Sequence, residues 1–378
     1  MGRLINYVII IYMRFVAPIL FVALLCLSCS NNTGSNPGDY RQFISKLPTI
    51  KIDHKLQLTE SDLEAYSPMQ VEFYDQEMAL VLASEPWTIL LIDEEGQVID
   101  RIHNIGRGPG EYTQINQMHV GFNKSVYLFD ARLRKILVYS VNEGQFSLEE
   151  ERALQPYDSY SFSEFYNTPS GNIGLFKDLS QSQTREISEY FAFSLGADLQ
   201  MEDSLFKVPG NELYTYQDLK VDKPFGYETE WDLEENTFYY SYSDRISVSA
   251  RQLNQIDEIH KFVPEIPRPH KTDKRISFKL KRLEVENLPD IEKVIREGNY
   301  FPHFRDFVVG PSNYFFTLYE ESPDHGTLLA IDRNSNEMRK IVVPSLFRIY
   351  DVSANKIFGI DHTDNANEVM IMTLAEAS

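Results

Sequence analysis

Between Gln117 and Phe146 three short runs rich in β-branched and aromatic residues follow one another, M-H-V-G-F, K-S-V-Y-L-F-D and R-K-I-L-V-Y-S, with N-E-G-Q-F closing the series. Each run is strand-like in length and composition, and each is broken by Asn, Asp or Gly, the residues that supply tight turns. The pattern predicts an antiparallel meander of four strands, with a tight turn at Asn142 to Gly144 leading into the last. Weaker echoes of the same unit run from Met69 to His103, Tyr160 to Phe206, Gln217 to Val263 and Phe304 to Val343, and a last one starts near Ile349. That last unit ends at V-M-I-M-T-L and has room for only three strands. Thr49 to Asp53, T-I-K-I-D, alternates with period two and is expected to supply the missing strand of that last unit. The rhythm breaks once, over Pro264 to Pro302, where charge and proline accumulate and Leu288 to Arg296 has helical spacing with Pro289 in the first turn.

The segment Gly106 to Tyr112 reads G-R-G-P-G-E-Y and joins the first two units. Gly106, Gly108, Pro109 and Gly110 cannot sit inside a regular element, so the segment is a shaped, stiff loop that ends at Tyr112 and projects Arg107 and Glu111. The motif and the V-Y-L-F-D…K-I-L-V-Y-S meander after it resemble the six-bladed β-propeller lipoproteins of Bacteroides-type bacteria, whose repeats are similar to NHL repeats. The resemblance implies an all-β chain, a six-bladed β-propeller of four-stranded antiparallel blades, here with a short helical insertion near 285–298. A unit spacing of about 40 to 45 residues agrees with propeller repeats. The resemblance implies no activity, since a propeller hosts many unrelated sites.

The first residues set an expected destination. Met1 to Ser28 carries Arg3 and Arg14, no acidic residue, and an apolar run from Phe15 to Leu27 with the length of a secretory h-region. Translation from Met13 would make a tidier signal than translation from Met1, and retention of the second apolar stretch, Leu4 to Met13, would instead favour an uncleaved anchor. Cys29 after Leu27 and Ser28 resembles a lipobox, with Cys26 where an aliphatic residue is usual, and is the expected site of lipidation. The expected organisation is therefore a lipoprotein signal over 1–28, a flexible polar tether over 29–45 and the propeller over 46–378. The expected location is the cell envelope, attached to a membrane through the lipid; periplasmic and surface-facing display both remain open. Both cysteines of the chain lie in this segment, so the body that follows offers no disulfide, thiolate zinc site or cysteine nucleophile.

A formal charge of −20 argues against a nucleic-acid partner, because an anionic surface gains nothing from counterion release. The one basic stretch, Arg268 to Arg282, reads either as a docking strip or as a solvated strand and loop offsetting acidic neighbours. With 24 Phe and 22 Tyr, aromatics fill alternating strand positions such as Phe238, Tyr239, Tyr240 and Tyr242, which suits blades packed face to face. Chemistry is harder to find. No nucleophile elbow, H-E-x-x-H or Walker loop is present. Asp361, His362 and Asp364 share one turn and are the weak candidates for a metal, calcium being the cation they would suit, although the spacing lacks the pattern of an EF-hand. Asp324 with His325 forms a similar turn. Arg107 and Glu111 are weak candidates for ligand contact, and the competing reading has them fix how one blade passes to the next. The expected function is a binding or scaffolding module for a peptide, glycan or partner protein. The alternative is a propeller hydrolase or lyase with channel-facing His, Asp or Glu; three or more of these converging on the axis would favour it.

Overall fold

The computed structural model of the chain describes residues 37–375 apart from 65, 85, 156, 158, 180–184, 217–218, 254–257, 262–265, 274–275, 278–288, 320–324 and 363–365. Six antiparallel sheets follow one another around an axis. Blade 1 runs from Ser67 to Ile102, blade 2 from Gln117 to Ala153, blade 3 from Tyr160 to Asp222, blade 4 from Thr229 to Lys261 and blade 5 from Phe304 to Val343. Blade 6 takes three strands from Phe347 to Leu374 and its fourth from Ile52–Leu58. This is a six-bladed β-propeller, with the first strand of each blade innermost and lining the axis.

Burial explains the sequence of each blade. The middle strands are covered on both faces by neighbouring blades and read as unbroken apolar runs: M-A-L-V-L-A-S and T-I-L-L-I-D are buried along nearly their whole length. Outermost strands face solvent and are charged, as in Q-F-S-L-E-E-E-R-A, which discourages pairing with another chain. The expected turn before that strand places Glu143 (φ 52°) and Gly144 (φ 75°) in the left-handed region, the signature of a two-residue type I′ hairpin. Six apolar cores result, one at each blade junction. The core between blades 1 and 2 sets Leu80, Leu82 and Leu91 against Met118, Leu128 and Leu137, and the others repeat this arrangement around the ring.

Three boundaries differ from the sequence reading. The closing strand is Ile52–Leu58, not Thr49 to Asp53. Residues 48–50 cross the outer strand of blade 5 first: Thr49 bridges Lys340 in parallel, Lys340 N–H donates to Pro48 O and Ile50 N–H to Lys340 O, both at 2.8 Å. Residues 219–222 belong to blade 3, because Met201–Tyr216 runs past the edge of its sheet and folds back as a hairpin with Leu219–Asp222. Within the stretch expected as a tether, Pro37–Lys46 is a helix. Its Tyr40, Phe43 and Ile44 pack on the core between blades 4 and 5, and that apolar face outweighs the polarity of the residues before it. The insertion carries the expected short helix, Pro289–Arg296. In its described part Arg268 and Lys271 lie over the rings of Tyr300 and Phe301, at 5.8 and 5.6 Å.

The closing strand carries the ring through Leu58, which is 4% exposed in the core between blades 6 and 1. Leu58→Ala is expected to lower unfolding free energy by about 2–4 kcal/mol in urea denaturation, in the range of buried Leu truncations. A loss below about 0.5 kcal/mol, the size of an ordinary surface change, would show that blade 6 does not depend on this strand.

Candidate functional site

The six innermost strands enclose a cavity of about 880 Å³ on the axis. Nine carboxylates line it, Glu72, Glu164, Glu228, Glu230, Asp232, Glu234, Glu235, Asp306 and Asp351, against His119, Lys124 and Arg348. Their arrival there is a matter of register. Four innermost strands carry an irregularity immediately before the channel-lining residue, between Pro68 and Gln70, Phe162 and Glu164, Phe304 and Asp306, and Ile349 and Asp351. A bulge adds a residue and re-aims the side chain that follows.

Most of these polar side chains join blades that no backbone ladder joins. Gln70 exchanges two hydrogen bonds with the backbone of Met118, at 2.9 and 3.3 Å, and Gln117 does the same with Phe165, at 3.0 and 2.7 Å. Val120 N–H donates to Glu72 at 2.8 Å. Glu164 accepts the indole N–H of Trp231 at 2.8 Å and the hydroxyl of Tyr166. Asp232 accepts Val309 N–H at 2.7 Å, Arg305 donates to Phe347 O, and Asp351 accepts Phe73 N–H at 2.7 Å. Every junction of the ring is thus spanned from an innermost strand.

Glu234 pairs with Arg333 at 2.8 Å, Glu235 is exposed, and two carboxylates, Glu228 and Glu230, are left over. No described residue donates a hydrogen bond to the side chains of Glu228 or Glu230. Burial pushes both toward the protonated form, and their mutual repulsion and that of Asp306 add to it; the Arg348 charge opposes. Burial raises Asp232 to about 8 despite the hydrogen bond from Val309, and raises Asp351 to about 7 with repulsion from Glu72. Glu164 is raised by burial against its bonds to Tyr166 and Trp231. Each shift favours the neutral carboxyl, and a bound cation would favour the ionised form instead. One further pair is incompletely satisfied: His119 Nδ1 lies 3.3 Å from Glu72 Oε1, while His119 Nε2 and Glu72 Oε2 are buried without a partner.

The residues singled out from sequence lie elsewhere. In the Gly106 to Tyr112 loop, Gly108 N–H donates to Glu111 Oε2 at 2.7 Å, and a Cβ on Gly106 would lie 2.0 Å from that same oxygen, so any larger residue there would displace the Glu111 carboxylate. Gly110 N–H donates to Glu151 at 2.6 Å, and the Tyr112 hydroxyl to Ile102 O at 2.8 Å and Trp87 O at 3.1 Å. The loop fastens blade 1 to blade 2. Pro109 and Arg107 are exposed, and neither Arg107 nor Glu111 borders the channel. Asp361 is buried in blade 6 and His362 Nδ1 meets Asn367 at 2.9 Å. Asp364, Asp324 and Cys29 lie outside the described residues. Among the described residues, no group of three or more His, Cys, Asp or Glu is arranged to hold a metal ion. The channel acids escaped sequence reasoning, although a signal existed: Glu72-Phe73, Glu164-Phe165, Asp232-Leu233, Asp306-Phe307 and Asp351-Val352 repeat one acid-then-apolar pair in five innermost strands.

The raised carboxylates predict how stability varies with pH. Between about pH 6.5 and 8 the unfolded chain has already lost these protons while the folded chain still holds them, so stability falls as pH rises through that window. His303 and His362, pulled below their usual value by burial, act in the opposite sense at lower pH, and Lys271, lowered to about 8 by burial, acts above it. The melting temperature is expected to drop across the window and to drop less in Glu228→Gln/Glu230→Gln. A flat or rising profile would contradict the assignment.

Solved structures overlay on this ring. A protein described as exported, from Bacteroides fragilis, does so with a TM-score of 0.50 at 12% identity, covering 88% of this chain and 95% of that one. A protein of unknown function from Bacteroides thetaiotaomicron has a TM-score of 0.45 at 12% identity over 85% and 77% of the two chains. Virginiamycin B lyase from Staphylococcus aureus has 0.42 at 10% over 85% and 99%. At these identities the likeness is one of fold alone. No curated protein matches the sequence. A family model described as 6-bladed beta-propeller matches residues 55–340, from the closing strand to the outer strand of blade 5, and the chain belongs to that 6-bladed beta-propeller family.

Proposed function

We propose that this protein is a ligand-binding module of the cell envelope whose site is the central channel and whose ligand carries amine or guanidinium groups. The observation that carries this reading is the pair Glu228 and Glu230, two channel carboxylates with no hydrogen bond from the described protein, in a wall already rich in acid. Unpaired buried acids are costly, and a cation that replaces their protons recovers that cost. Glu72, Glu164, Asp232, Asp306 and Asp351 make bonds between blades, so the pair is free to act on a ligand without loosening the fold. The volume of about 880 Å³ suits a small molecule or a side chain of a peptide.

Location rests on the N-terminal sequence: the apolar run Phe15 to Leu27 reads as a secretion signal and Cys29 as the residue that receives the lipid. The G-R-G-P-G-E-Y loop and its resemblance to Bacteroides-type lipoproteins support the same address, as does the description of the B. fragilis structure as an exported protein. Among the described residues no helix is long and apolar enough to cross a membrane, and a lipid on Cys29 would supply the attachment.

A hydrolase or lyase is the second reading, favoured by one observation. Two adjacent carboxylates whose proton affinities are both raised can divide the roles of acid and base. Hydrolysis of a glycoside or peptide panel that disappears in Glu228→Gln would support it over simple binding.

The binding reading is tested by calorimetric titration with cadaverine and spermidine, with succinate as the anionic control. Both amines are expected to bind and succinate not to. Glu228→Gln/Glu230→Gln is expected to weaken the amines about ten-fold, which corresponds to about 1.4 kcal/mol. Lowering the pH to about 5.5, which protonates the channel acids, weakens them as well. Amine binding that ignores the double variant would move the site out of the channel.

A further inference from the structure

Glu228 and Glu230, on blade 4, line the channel together with an arginine of blade 6 whose contacts are one-sided. Arg348 donates from both Nε and Nη2 to a single oxygen of Asp306, at 2.8 and 2.6 Å. Its Nη1 has no partner among the described residues. Asp306 is sealed in the wall, its side chain 5% exposed, whereas that of Arg348 is 45% exposed and borders the cavity. One edge of the guanidinium is thus tied down, and Nη1 is left for another partner in a residue that lines the cavity. A fixed guanidinium edge is the preferred partner of a carboxylate. The other arginine here cannot take that part, because Arg305 is turned onto the carbonyls of Ser345 and Phe347 and belongs to the joint between blades 5 and 6.

The acid pair and the arginine act on one space. Arg348 pulls against the rise of both glutamates, and Glu230 in turn helps to keep Arg348 charged. A plain cation placed between the glutamates would feel the repulsion of Arg348. A ligand that brings its own carboxylate would turn that repulsion into a contact.

We infer that the channel selects a zwitterion, a small molecule with an ammonium and a carboxylate on neighbouring carbons as in a free α-amino acid. The ammonium is held by Glu228 and Glu230 and the carboxylate by the Nη1 edge of Arg348. This rests on the cationic-ligand reading of the same channel and adds to it the anionic half of the ligand.

L-Lysine and cadaverine differ only by the carboxylate and make the test direct. In calorimetric titrations of the full-length protein at about pH 7.5, L-lysine is expected to bind at least about ten-fold more tightly than cadaverine, the gain of one charge-assisted contact. Arg348→Lys, which keeps the charge opposite Asp306 but loses the fork, is expected to bring L-lysine down to the affinity of cadaverine and to leave cadaverine within about two-fold of its value. Cadaverine binding as tightly as L-lysine would overturn the zwitterion while leaving the cationic-ligand reading intact. No binding of either below about 1 mM would overturn both. If Arg348→Lys fails to fold, the comparison of the two ligands on the unsubstituted protein decides alone.

Discussion

The ring is held at its axis by side chains rather than by sheet. Each blade satisfies its own backbone, and the innermost strands of neighbouring blades are too far from a ladder geometry to pair. The joints are instead made by Gln70, Glu72, Gln117, Glu164, Asp232, Arg305 and Asp351, each reaching a group on the next blade. This is a strong constraint, because a buried N–H or carbonyl left without such a partner costs about 1–3 kcal/mol. The apolar cores between blades supply the bulk of the burial; the polar joints fix the angle at which one blade follows another.

That solution has an electrostatic consequence. Carboxylates are good acceptors for lone N–H groups, and using them at joint after joint concentrates acid on the axis of a protein that is already anionic. Their proton affinities rise as a result, chiefly through burial, with mutual repulsion added. Glu228 and Glu230 stand apart because they add to this charge without making a joint. Arg348, on blade 6, limits it, held by Asp306 of blade 5. Most of the channel acids hold blades, and Glu228 and Glu230 make no such joint.

Blade number and architecture were legible because they are local. Turn residues bound each meander, and the limits of blade 5 coincide with those read from composition alone. The closing strand was harder, since T-I-K-I-D and I-D-H-K-L-Q-L alternate equally well and only the outer strand of blade 5, far away in sequence, decides between them. The site was hardest. Its acids sit on strands separated by whole blades, and one acid before one apolar residue is unremarkable in any single strand. The Gly106 to Tyr112 loop drew attention by composition, yet its glycines, Glu111 and Tyr112 are occupied in fastening two blades. Unusual local chemistry marked a joint, and the channel became visible only with the ring closed.

The central claim is that the free acid pair in the channel is where a ligand sits. A crystal structure of the protein soaked with cadaverine near neutral pH tests it most directly. The account predicts an ammonium within hydrogen-bond distance of the carboxylates of Glu228 and Glu230, with the bonds of Asp232 to Val309 and of Asp351 to Phe73 unchanged. Diamine bound only on the outer acidic surface, with the channel left to water, would contradict it.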